Sequence, residues 1–496
     1  MMILKNFKKI LFENIGIRQT IFKNTFWLIF AEIFSRFLEF VLIIYITRIL
    51  GVFEFGKFTF VLAFVSMFAI LSDFGLSDIT TREISGDKET EKEYPAVLSL
   101  KVILSIGTFV LIMLASFFVT NDPLIRLIIG ILAIFILFNY FFFIIYAFLR
   151  ARQKMEYEAG AKIIRSLIMF VIVFFVLFKA PSVKNISYGY LFANSLALIL
   201  VLLFFHFQIQ SLKLSLRINI WKKFFRISWP LGLAAIFGAI FVNIDSVIMG
   251  YLGQLISNGW YNAARKIIAI IIIPTTLIFL SFFPVLSKLF KESKEKFQKV
   301  WNYYMALMII LAAPLTTGGL ILAPQIINFI YGSGFNPSIL VFQILIFMAG
   351  ISFIYNPYVS ILIVSGQQKK YLWVHLIGAL TNITLNLILI PRYSLYGAAI
   401  SAVITYIILI FLTIEFSRRF TFILPFNWQL FKILIIVVLS STIMAAIISQ
   451  LLIYNINILC LIIIGILIYF FILFLFYKVF QRFGFLSNRR YIDYFE

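Results

Sequence analysis

Apolar runs long enough to cross a bilayer recur along the whole chain, separated by short polar or basic breaks. A spanning helix needs about 20 apolar residues. The pattern predicts about fourteen spans, near 25–47, 57–77, 96–119, 124–149, 161–179, 186–207, 227–250, 260–285, 301–324, 338–364, 371–390, 394–414, 431–453 and 457–477. Residues 1–24 set Leu4, Phe7, Ile10 and Leu11 against Lys5, Lys8 and Lys9. That alternation fits an amphipathic helix in the cytoplasmic interface, and equally a basic tail. The first apolar segment is long, carries three charges and precedes no small-residue cleavage site, so it reads as a retained span and not a signal peptide.

Composition makes the bilayer the main solvent. Of 496 residues, 63% are hydrophobic and 12% charged, with mean hydropathy +1.05. A soluble domain carries roughly 25% charged residues. The formal charge of +22 does not mark a nucleic-acid binder, because the basic residues sit in short alternate loops. These include Arg150, Arg152, Lys154; Lys213, Arg217, Lys222, Lys223, Arg226; Lys288, Lys291, Lys294, Lys296, Lys299; and Arg482, Arg489, Arg490. The positive-inside rule then places both termini in the cytoplasm. The lone Cys460 allows no disulfide framework, and His206 and His375 read as hydrogen-bonded membrane histidines. No phosphate-binding loop and no long external loop are expected, so the reading is a membrane protein that is not an enzyme and uses no cofactor or metal.

A repeat divides the chain. Leu50–Gly51 and Gly56–Lys57–Phe58 follow the first span; Leu252–Gly253 and Gly259–Trp260–Tyr261 follow the seventh. Gln153–Lys154 follows the fourth span, and Gln367–Gln368–Lys369–Lys370 the tenth. An offset of six spans predicts two six-helix lobes of like orientation. The expected domains are residues 1–24, an N-terminal lobe at 25–222, a C-terminal lobe at 223–425, and a final helix pair with a basic cytoplasmic tail at 426–496.

Charges inside spans are costly and usually face a cavity or a partner. Span 1 carries Glu32, Arg36 and Glu39 on one helix face. They read either as a self-neutralised triad or as an Arg36 site for an anion, tuned by the carboxylates. Arg265 and Lys266 open span 8 and either snorkel to headgroups or line a cavity. Asp245 in span 7 reads as a cation site or as the partner of Arg265, the pair being favoured. Asn382 and Asn386, at i and i+4, are expected to hydrogen-bond between helices. Glu54 is expected to be structural or to serve gating.

The stretch RILGVFEFGKF, then SDFGLSDITTRE, resembles the N-terminal signature of the Wzx-type polysaccharide flippases, of the superfamily that also holds the MurJ-like flippases and the MATE exporters. Arg48, Leu50, Gly51, Phe55, Gly56, Phe58, Asp73, Phe74, Gly75, Leu76 and Arg82 carry it. NIDSVIMGYLG followed by GWYNAARKI is similar to the second-lobe signature, through Asp245, Gly253, Gly259, Tyr261 and Ala264. The resemblance implies an all-α, V-shaped, two-lobed alternating-access transporter of the cytoplasmic membrane. Its substrate would be a polyprenyl-diphosphate-linked oligosaccharide, moved from the inner to the outer leaflet without ATP. Arg36, Arg265, Lys266 and Arg48 are the candidates for holding the diphosphate headgroup. Glu32, Glu39, Asp73 and Asp245 are the candidates for coupling to H⁺ or Na⁺ or for gating. Partners would be the lipid-linked substrate, membrane lipids and polysaccharide polymerase or assembly proteins. The alternative is a MATE-like cation-coupled drug or metabolite antiporter.

Overall fold

The computed structural model describes residues 16–86, 89–420, 428–454 and 456–482, and among these it is helical with no strand. The helices are α1 Ile17–Ala69, α2 Leu76–Gly86, α3 Tyr94–Val119, α4 Pro123–Ala151, α5 Met155–Lys179, α6 Val183–Gln208 and α7 Ile218–Tyr251. Then come α8 Leu255–Ile271, α9 Ile273–Glu292, α10 Lys294–Tyr331, α11 Ser338–Val364, α12 Gln368–Phe420, α13 Trp428–Leu451 and α14 Ile458–Arg482. Most of the expected amphipathic segment, and Arg489 and Arg490 of the tail, lie outside the described residues.

Twelve helical segments among the described residues are long and apolar enough to cross a membrane. The sequence pattern predicts about fourteen. The difference arises in α1 and α12, 53-residue segments that each join two helices across a kink. At about 1.5 Å per residue, each is more than twice as long as a bilayer core of about 30 Å. Each holds one non-helical residue, Gly51 (φ 71°) in α1 and Ser394 (φ 51°) in α12. These breaks fall where the pattern places the turns between spans 1 and 2 and between spans 11 and 12.

Three helix ends share one backbone geometry. After α4, Gln153 is left-handed (φ 55°), its N–H donates to Arg150 O, and the N–H of Lys154 donates to Leu149 O. After α7 the same geometry recurs at Gly253 (φ 72°) with Gln254 to Met249 O. After α11 it recurs at Gly366 (φ 74°) with Gln367 to Leu362 O. All three are Schellman-type caps that satisfy the last helical carbonyls before an abrupt reversal.

By packing, the chain divides into two compact units, one up to Gly259 and one from Trp260 onward. In the first, α1 packs on α5, α7 and α4, and α4 packs on α6. Lipid tails are as apolar as Leu, so helices in a bilayer associate through close approach and hydrogen bonds. The contact of α1 with the α7–α8 segment uses both. A Cβ at Gly56 would lie 1.8 Å from Leu255 O, and one at Gly259 would lie 2.2 Å from Val52 O. Asn258 Nδ2 donates to Gly56 O at 2.9 Å and to Thr59 Oγ1 at 3.2 Å. Farther along α7, Gly232 receives the ring of Phe74, which stacks on Phe225 at 5.1 Å. In the second unit, α11 packs on α10 and α12, and α10 packs on α13. Trp301 Nε1 donates to Pro357 O, and Tyr469 OH to Ile310 O.

Candidate functional site

The first unit gathers ionisable groups between α1 and α5. On α1, Glu32, Arg36 and Glu39 share a face, as their spacing of four and three requires. On α5, Glu158, Lys162 and Arg165 have the same spacing. The two stripes meet. Lys23 Nζ lies 2.9 Å from Glu156, and Lys162 Nζ lies 3.7 Å from Glu32 Oε2. The Glu39 carboxylate acts electrostatically on Arg165. Pairing thus advances in the same direction along both helices, so α1 and α5 run parallel here.

Arg36 does make the intrahelical contact of the triad reading. Its Nε donates to Glu32 Oε1 at 2.7 Å, and the side chain stays 51% exposed. Among the described residues its two terminal nitrogens hold no partner, so the outer edge of the guanidinium can still receive an oxyanion. Glu32 is shared, with one oxygen on Arg36 and the other toward Lys162. Glu158 is fully buried and takes a two-pronged contact from Arg150, at 2.8 and 2.6 Å, with Lys162 at 3.1 Å. Such a fork-to-fork pair is strong and directional. It fixes the base of the α5 stripe.

Asp73 is a structural anchor for the turn before α2. It is buried, and its Oδ1 accepts from Lys101 Nζ at 2.5 Å and from Ser77 Oγ at 2.6 Å. Lys101 itself is fully buried on α3. Arg48 is exposed three residues before the Gly51 break. Glu54 pairs with Lys57 at 2.8 Å. Asp245 is buried in the first unit, where its Oδ1 accepts the Ser246 N–H at 2.7 Å. Arg265 and Lys266 belong to the second unit and are half-buried, and the Arg265 guanidinium lies 5.9 Å from the centre of the Tyr261 ring. In that unit Asn386 Nδ2 donates to Asn382 Oδ1 at 3.0 Å, and Asn382 Nδ2 reaches Thr405 Oγ1 at 3.5 Å. The expected interhelical bond therefore joins the two halves of α12.

The reading from sequence singles out the α1 stripe and misses Lys101, Glu158, Lys162 and Arg165. A signal was present: Glu158, Lys162 and Arg165 repeat the i, i+4, i+7 spacing of the α1 triad. Among the described residues no group of three or more His, Cys, Asp or Glu side chains could hold a metal ion.

The polysaccharide biosynthesis protein family matches residues 21–290, more than half of the chain. The chain belongs to that family. Among its relatives is the capsular polysaccharide biosynthesis protein CapF of Staphylococcus aureus, 21% identical over 405 residues, covering 80% of this chain and 99% of CapF. The uncharacterized membrane protein MJ1068 of Methanocaldococcus jannaschii is 23% identical over 397 residues, covering 73% of this chain and 77% of its own. The fold is that of MOP-superfamily transporters. The inward closed lipid II flippase MurJ superposes with a TM-score of 0.75 at 17% identity, covering 92% of this chain and 100% of MurJ. An inward-facing multidrug resistance MATE transporter gives 0.64 at 14% identity, with 78% and 94% covered.

Proposed function

We propose that this multi-pass membrane protein is a flippase for cell-surface polysaccharide assembly. It carries a polyprenyl-diphosphate-linked oligosaccharide from the inner to the outer leaflet by alternating access, without ATP hydrolysis. The observation that carries the reading is Arg36. It lies within a membrane span, half exposed, with one nitrogen on Glu32 and its terminal nitrogens open. A planar fork in that state suits a diphosphate, which it can grip through paired, charge-assisted hydrogen bonds. Membership of a polysaccharide family and the fold shared with a lipid II flippase support the same substrate class.

On this reading α1 and α12 each cross the membrane twice, with turns at Gly51 and Ser394, and both termini lie in the cytoplasm of a cell whose inner membrane holds the protein. Lys266, Arg265 and Arg48 contribute to headgroup capture, and Glu32, Glu39 or Asp245 to coupling or gating. An inside-negative potential favours outward movement of an anionic headgroup by about 2.3 kcal/mol per charge per 100 mV. Polymerase or assembly proteins would receive the product at the outer face.

The experiment is a flipping assay in proteoliposomes with a labelled prenyl-diphosphate oligosaccharide, under imposed voltage and under H⁺ or Na⁺ gradients. Protein-dependent transfer, faster with voltage of the right sign, is expected. Absence of transfer under every gradient, together with efflux of cationic drugs from the same vesicles, would replace this reading by the antiporter suggested by the MATE-like fold.

A further inference from the structure

We infer that Arg165 on α5 is the fixed anchor of an oxyanion-binding site in the first unit, a role that rests on the flippase reading for the identity of its ligand. Its Nε donates to Asn194 Oδ1 on α6 at 3.0 Å, and its Nη2 donates to Asn139 Oδ1 on α4. The guanidinium lies over the ring of Phe142, 4.8 Å from its centre. Asn194 is fully buried and its Nδ2 donates to Phe135 O at 3.0 Å, so the oxygen of that amide is the end turned toward Arg165. The guanidinium is therefore held in place by two neutral amide acceptors and an aromatic face, with the Tyr146 hydroxyl beside it.

The contrast with its neighbours is the argument. Lys23, Arg36, Lys101, Arg150 and Lys162 each contact a carboxylate. Among the described residues no carboxylate forms an ion pair with Arg165, although Glu39 acts on it at longer range. A cation inside a membrane is costly unless compensated. These five neighbours pair; Arg126, at the far end of α4, instead caps the Thr120 carbonyl, whereas Arg165 meets two side-chain amides. Two amide oxygens fix the direction of the fork without cancelling its charge, which is what a binding group needs before its ligand arrives. A guanidinium has five N–H donors; the two amide bonds use two and the Tyr146 hydroxyl lies close enough to engage another, so the rest face an incoming oxyanion. Lys162, one turn earlier on α5, and Arg36 on the facing α1 stripe supply further positive charge beside it.

The ligand chemistry is a phosphate or carboxylate oxyanion. In the flippase reading it is the diphosphate of the lipid carrier; an acidic sugar of the glycan carries the same chemistry. The test uses the full-length protein in detergent micelles and reads binding by thermal shift. The probes are undecaprenyl diphosphate, uncharged undecaprenol and glucuronic acid. Two variants are compared with the natural chain. Arg165→Gln removes the charge, and Asn139→Asp keeps the accepting oxygen but adds an internal counter-charge. The expected result is binding of the diphosphate lipid and not of the prenol, weakened at least tenfold in both variants, with Asn139→Asp more heat-stable than the natural chain when empty. A structural Arg165 predicts the opposite for Asn139→Asp: binding unchanged. Natural affinity in a folded Arg165→Gln, or in Asn139→Asp if Arg165→Gln does not fold, overturns the anchor. Glucuronate binding lost in Asn139→Asp, with no response to the diphosphate lipid, keeps the anchor and overturns the diphosphate as its ligand. No response of the natural chain to either anion overturns both. Binding that follows the anchor while vesicles show no flipping overturns the proposed function alone.

Discussion

Replacing Gly56 by Ala tests whether the α1 contact with the α7–α8 segment is a close-packed latch. The new Cβ would stand 1.8 Å from Leu255 O and 2.8 Å from its carbonyl carbon. An ordinary carbon–oxygen contact is about 3.3–3.6 Å, so the backbones must part by roughly 1.5 Å. Neither atom is the movable end of a side chain. Overpacking of this kind costs about 1–3 kcal/mol. Parting also pulls Asn258 Nδ2 from Gly56 O, and an orphaned buried amide costs about 1–3 kcal/mol. A combined effect of at least about 2 kcal/mol shifts the closed-to-open ratio roughly thirty-fold or more. The assay uses Cys460→Ser as background and Thr59→Cys as reporter, Thr59 being 5% exposed. Its reaction with a membrane-impermeant maleimide should accelerate by that order in Gly56→Ala and in Gly259→Ala, where the obstacle is Val52 O at 2.2 Å. Gly250→Ala is the internal comparison, because its obstacle is the Phe60 ring at 1.9 Å, a side chain that can turn. It should open the contact less. Equal labelling rates and equal melting temperatures in the natural chain, Gly56→Ala and Gly259→Ala would refute the latch.

Arg36→Ala should abolish glycan export while membrane levels hold, and Arg36→Lys should restore export only in part; export by the Ala variant at the natural rate removes Arg36 from the headgroup site. Asp73→Asn leaves the buried Lys101 ammonium without its carboxylate and should destabilise by about 3–5 kcal/mol, read as a lower melting temperature in detergent. Lys101→Met added to Asp73→Asn should recover most of that loss, and a double variant no more stable than Asp73→Asn would show that the pair is not the cause. Glu32→Gln should tighten binding of the anionic lipid and slow multiple turnovers, measured by comparing equilibrium binding with steady-state flipping in vesicles.

The spans, the Gly-punctuated turns and the family signature were legible because each depends on local sequence. Hydropathy marks a helix whatever its neighbours, and Gly51 and Gly253 announce left-handed turns by residue type alone. The equivalent turn at Gln153 was not legible, since glutamine carries no such mark. Span number shows in the backbone at Gly51 and Ser394, whose non-helical dihedrals divide α1 and α12. The candidate site was legible on α1, where three charges interrupt an apolar run. Its other wall was not, for a physical reason. Whether Lys162 belongs to Glu32 or to Glu158, and whether Arg165 meets a carboxylate or two amides, depends on helices brought together across 26 to 133 residues. Asp73 shows the converse. As part of an SDFG motif it reads as a coupling candidate, but its oxygens are occupied by Lys101 and Ser77.

The sharing of Glu32 between Arg36 and Lys162 bears on the half of a transport cycle that carries nothing. A carrier that has released its anion must return through the same low-dielectric interior with its binding cations still in place. Bare, they would make that return the slow step. On the flippase reading Glu32 would act as a resident stand-in for the cargo, contacting both cations in the empty site and giving way to an arriving oxyanion. Loading would then be an exchange of one anion for another at these two cations. The same carboxylate that limits how tightly the cargo can be held would set how quickly the protein is ready for the next one.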